Sequence, residues 1–201
     1  FLSKQSGDAG GLTWAAAGGS GFEFIATTNA SGASSIDFEP TATGYTISDY
    51  TQLLVILTSV YPVTASQQLW IRTDANDGAS YTASGYTHWW GSFDDNGVTE
   101  YVTANTNQIV FTPVPISTAG VANYAFQAEL WFNLYGADGG GATRSNKVHF
   151  RVSSCDAAND FIISNGAGFN AGESGPYNSI RIMAASGNIT GRATLYGLKV
   201  S

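Results

Sequence analysis

Charge is what this sequence has least of. Charged residues make up 11% of the 201, against about a quarter in ordinary soluble domains. Eight are basic and fifteen acidic, for a net charge of −7. The basic residues are scattered, and Arg144, Lys147 and Arg151 are the nearest to a cluster. Nucleic-acid binding needs a basic stripe that neutralises phosphates, so that class is set aside. An acidic surface is not drawn to anionic membranes either. There is one cysteine, Cys155, which rules out an internal disulfide. A lone thiol usually packs as a small apolar residue, and a core position is expected for Cys155. No apolar run approaches the roughly 18 residues of a membrane span; the longest lies in Leu53–Leu57. Phe1-Leu2-Ser3-Lys4 does not read as a secretory signal, because no apolar stretch follows the charge. The chain also opens without methionine, as a fragment or a processed form does.

What is present is Gly, Ser, Thr and aromatics in alternating patterns. Phe22, Phe24 and Ala26 point one way and Glu23, Ile25 and Thr27 the other, the period of a half-buried strand. Thr28–Gly32 is a turn cluster and Ser34–Phe38 returns, so the two runs read as a hairpin. Further strands are expected over 52–59, 67–73, 84–90, 108–112, 125–134, 147–153, 160–163, 179–184 and 193–200. In the last of these, Gly197 permits a bulge or a close backbone approach, and Leu198 and Val200 continue the inward face. Turn signals separate the strands: Asp74–Gly78, Asp94–Gly97, Ala137–Gly141 and Ser186–Asn188. Pro113 and Pro115 exclude a helix in their segment. About eleven short strands at regular spacing predict an all-β, jelly-roll-like antiparallel β-sandwich. Residues 1–21 are rich in Gly, Ala and Ser and cannot hold a core alone. They read as an extended N-terminal arm, with Leu2 and Trp14 as its docking side chains, ahead of a sandwich domain over 22–201.

Catalytic and metal chemistry finds little to stand on. His88 and His149 are the only histidines and have no paired-ligand spacing, so no metal and no cofactor is expected. Asp74-Ala75-Asn76-Asp77-Gly78 begins like a calcium loop but lacks its later bidentate Glu; a hairpin turn is the plainer reading. Glu23, Asp37 and Glu129 lie in or beside strands and are the carboxylates that glycoside hydrolysis would need in a pair. Solvated faces are the plainer positions for them. The Gly-rich run 136–141 is followed by no Lys-Ser/Thr and reads as a hairpin tip, not a phosphate loop. Tyr86-Thr87-His88-Trp89-Trp90 is the cluster of most interest for recognition. Sugars offer apolar C–H patches to flat aromatic rings, so Tyr86, His88, Trp89 and Trp90 are the candidate ligand or receptor residues. On a strand, Tyr86, His88 and Trp90 share one face and Trp89 takes the other, so one face belongs to the core. The bland alternative has both tryptophans as core or subunit-interface anchors.

Three stretches carry a resemblance. They are 21–28 with 33–38; Tyr50–Leu57 leading to Leu69–Asp74 and Gly78–Tyr81; and Ile180–Ile182, Ser186–Ile189 and Ala193–Leu198. In this order and spacing they resemble a group of small tailed-phage virion proteins of the tail-fibre or head-fibre type. The resemblance covers most of residues 21–200 and departs at Trp89-Trp90 and at the Pro-rich segment. It implies a virion-exposed sandwich, commonly trimeric, with neither cofactor nor reaction. The expected function is thus a structural protein of the phage surface, a tail- or head-fibre or decoration component taking part in host attachment. Its expected partners are further copies of itself, other virion proteins through the arm, and a host-surface glycan. The alternative is a carbohydrate-binding module or lectin; a small hydrolase ranks below both.

Overall fold

The computed structural model describes residues 2–3, 13–14, 21–81, 83–94, 97–112, 126–134, 147–155, 161–171 and 177–199. Fourteen strands are present among them. β1 (Leu2–Ser3) and β2 (Thr13–Trp14) pair with each other as a separate ribbon. The others are β3 (Phe22–Ala33), β4 (Ser35–Phe38), β5 (Tyr50–Pro62), β6 (Leu69–Asp74), β7 (Tyr86–Asp94), β8 (Gly97–Thr106), β9 (Ile109–Val110), β10 (Phe126–Asn133), β11 (Lys147–Cys155), β12 (Phe161–Asn170), β13 (Ser179–Ala184) and β14 (Ile189–Lys199). Eight form a large sheet in the order β3-β14-β5-β10-β11-β12-β7-β8, and four form a small one in the order β4-β13-β6-β9. All neighbours are antiparallel.

This order is a jelly roll with two insertions. Remove β7–β8 and β11–β12 and number the remaining strands of the two sheets one to eight. The sheets then read 1-8-3-6 and 2-7-4-5, the double Greek key of that fold. The inserted hairpins β7–β8 and β11–β12 continue the large sheet beyond β10 and double its width. The all-β sandwich expected from the strand spacing is therefore the fold observed.

The core lies between the sheets. Leu53, Val55 and Leu57 of β5, Leu130 and Phe132 of β10, and Val148, Phe150 and Val152 of β11 line the large sheet's inner face. Ile36, Phe38, Ile71, Ile180 and Ile182 answer from the small one. Phe111, just after β9, meets Phe150 edge-on with ring centroids 6.4 Å apart. β5 carries apolar residues on both faces because it is an interior strand. A bulge separates Leu57 from the next buried position, Val60: Ser59 has φ 52° and the β14 register slips opposite it at Gly191. Tyr86 ties the sheets together. Its hydroxyl accepts from the Thr73 backbone N–H at 2.9 Å and donates to the Thr73 carbonyl at 3.2 Å.

Four expectations need correction. Residues 22–38 are not a hairpin. β3 runs through the polar Thr28–Gly32 segment and pairs with β14, and the chain then crosses at Ser34 into the small sheet, where β4 pairs with β13. Polar residues are tolerated there because β3 is an edge strand: Asn29 and Ser31 face solvent and Ala30 the core. β8 is a further strand with no sequence signal, because as the opposite edge it exposes residues on both faces and so lacks alternation. Leu198 is half-buried, and the buried place falls to Gly197, where a Cβ would overlap the Tyr50 ring. Cys155 is not a core residue; it is free and half-exposed at the end of β11. The turn clusters near 94–97 and 186–188 hold. Strand pairing closes at Asp94↔Gly97, and Gly187 takes φ 75°. The glycine run 136–141 and the Pro113–Pro115 segment lie outside the described residues.

Candidate functional site

Alternation along β7 divides the aromatic cluster. Tyr86, His88 and Trp90 point into the sandwich and are buried, whereas Trp89 is 42% exposed on the outer face. The structure therefore does not gather these four residues on one surface. Trp90 stacks on Tyr101 of β8 at 5.2 Å, and His88 lies 6.1 Å from the same ring. Opposite them β12 supplies Gly166 and Gly168. A Cβ at 168 would come within 2.9 Å of Ile109, and one at 166 would overlap Phe150. The glycines make room for the large neighbours. Among the described residues, both His88 ring nitrogens, the Trp90 indole N–H and the Ser164 hydroxyl are buried with no hydrogen-bond partner. Burial without a compensating acceptor lowers the His88 pKa to about 4, so the ring is neutral at pH 7.

The outer face of the large sheet carries the features that a ligand can reach. A cleft of about 340 Å³ crosses β5, β10, β11 and β12. Glu129 and Arg151 stand directly opposite each other in its floor, with Ile56 beyond Glu129. The next cross-strand row runs Gln127, Ser153, Ile163, Phe93, Val98. It leads from the cleft onto an apolar patch where Trp89 is paired with Val102. Phe161 stands at the junction, 60% exposed. Among the described residues, neither Glu129 nor Arg151 has a side-chain hydrogen bond or an ion pair; the ion pairs there are Arg181–Asp37 and Lys199–Glu23. Apart from Glu129 as a candidate acid, this site is not legible in the sequence. Its residues come from four strands spread over more than a hundred positions, and no local motif marks strand register.

The other candidate groups are committed to structure. Asp37 accepts both hydrogen bonds of a bidentate Arg181 pair, at 2.8 and 2.6 Å. The guanidinium also lies 4.0 Å over the Tyr81 ring. Glu23 accepts from Tyr50 at 2.6 Å and pairs with Lys199 at 2.9 Å. These bonds hold the Glu23 carboxyl below its ordinary pKa, while burial and the Glu23 bond push Tyr50 up to about 12. In the Asp74–Gly78 turn, Asp77 accepts from the Thr41 backbone and hydroxyl. Asp74 accepts from the Ser80 N–H at 3.2 Å. Asn178 bonds the Asp77 N–H and the Ala75 carbonyl. The carboxylates thus serve as braces of a turn. His88 faces inward and His149 outward, and no group of three metal-ligating side chains occurs among the described residues. Side-chain contacts of Leu2 and Trp14 lie outside what is described.

No protein-family model, no curated protein and no solved structure matches the chain.

Proposed function

We propose that this protein is a structural component of a tailed-phage virion surface, a tail- or head-fibre or decoration protein that acts by presenting the outer face of its large sheet. The observation that carries the reading is the place of the resembling stretches in the fold. They fall on β3–β4, β5–β6 and β13–β14, which are framework strands of the jelly roll. The departure at Trp89-Trp90 falls on an inserted hairpin. Framework kept and insertions varied is the pattern of a scaffold that displays changeable surfaces. Jelly rolls also recur in viral shells and in lectins.

In this reading residues 1–21 dock on the particle and the sandwich projects outward as a homotrimer. Edge strand β8 supports self-association, since Val98 and Val102 are exposed on it with a single charge, Glu100, between them. The protein should co-sediment with purified particles through a density gradient. Deleting 1–21 should leave the sandwich folded and abolish co-sedimentation. Co-sedimentation of the truncated chain would refute docking by the arm, and absence of the full chain from particles would refute the virion reading. Light scattering should give the mass of three chains.

A carbohydrate-binding module is the second reading. The observation in its favour is a cleft that sets an exposed aromatic ring beside donor and acceptor side chains.

A further inference from the structure

We propose that the outer-face cleft across β5, β10, β11 and β12 is a binding site for a neutral carbohydrate, one or two sugar rings of a host-surface glycan. This rests on reading the protein as a surface-presenting, non-catalytic domain, and it moves the ligand site away from the Tyr86–Trp90 segment.

The size fits. At about 340 Å³ the cleft is at the small end of the roughly 300–1,000 Å³ typical of small-molecule sites. The chemistry is selective. Arg151 offers only donors and Glu129 only acceptors, and their positions face each other across neighbouring strands. A fixed anion would meet Glu129 as well as Arg151, and a fixed cation the reverse. A pair of neighbouring hydroxyls satisfies both, since each hydroxyl donates and accepts. Gln127 and Ser153, opposite each other in the next row, add neutral groups of both kinds. Phe161 and Ile163 supply the apolar wall against which the C–H face of a pyranose packs. Among the described residues that line the cleft, Glu129 is the one carboxylate, whereas glycoside cleavage uses two.

The test is a titration of the full chain with neutral mono- and disaccharides of glucose, galactose and N-acetylglucosamine, followed by backbone amide NMR. At least one sugar should shift amides of 127–129, 151–153 and 161–163 together. Arg151→Gln and Phe161→Ala should each weaken that binding about tenfold or more, a change of about 1.4 kcal/mol by the tenfold rule. All these side chains are on the outer face, so the variants' spectra should remain those of the folded domain. No shift with any of the sugars, or shifts confined to β7–β8, would overturn the cleft assignment and leave particle association untouched. Cleaved disaccharide in the same tube would leave the site standing and overturn the non-catalytic reading.

Discussion

Trp89 and Trp90 are adjacent in the chain and lie on opposite faces of one sheet. Trp90 is 6% exposed and stacked on Tyr101, while Trp89 is 42% exposed beside Val102. Their replacement should therefore have unequal consequences. Trp90→Ala opens a large cavity and should cost about 3–5 kcal/mol. Trp89→Ala removes an outward ring and should change stability by about 0.5 kcal/mol or less. Urea denaturation of the two variants measures the difference; equal losses would contradict the assignment of faces.

Gly166 and Gly168 are not in turns. Their backbones pass under Phe150 and Ile109, where a methyl has no room. Gly168→Ala should destabilise by about 1–3 kcal/mol through overpacking. Gly166→Ala should cost at least as much, because it meets the Trp89 carbonyl as well as the Phe150 ring. Melting curves of both variants check this, and unchanged midpoints would contradict the close contacts at these two positions.

His88 makes stability depend on pH. Its folded pKa is about 4, below the unfolded value of about 6.5, so the unfolded chain binds the proton more tightly. The stabilisation is complete above about pH 6.5 and is lost as pH falls towards 4, on the order of 3 kcal/mol in all. Denaturant midpoints across pH 4–7 should show this slope, and His88→Leu should remove it. Because neither ring nitrogen has a partner among the described residues, His88→Leu should be no less stable than the parent at pH 7. A His88→Leu variant that keeps the full slope would place the titrating group elsewhere.

Much of the architecture is legible from alternation and turn residues. The strand limits of β13 match Ser179–Ala184 to the residue, and the division of Tyr86, His88 and Trp90 from Trp89 follows from strand period alone. What is not legible depends on partners. β3 looks like a hairpin arm because its polar segment is read without knowing that it lies on an edge. β8 shows no alternation because neither of its faces is well covered. The cleft is invisible for a related reason. Glu129 meets Arg151, and Ser153 meets Ile163, only through strand register.

The most direct test of the central claim uses antibody fragments raised against the outer sheet face around Glu129, Arg151 and Phe161. On electron micrographs of intact phage particles they should decorate the surface at a fixed place on the head or tail, and Phe161→Ala with Arg151→Glu should abolish the label. Fragments that bind the isolated protein but leave intact particles bare would contradict a role in presenting this face.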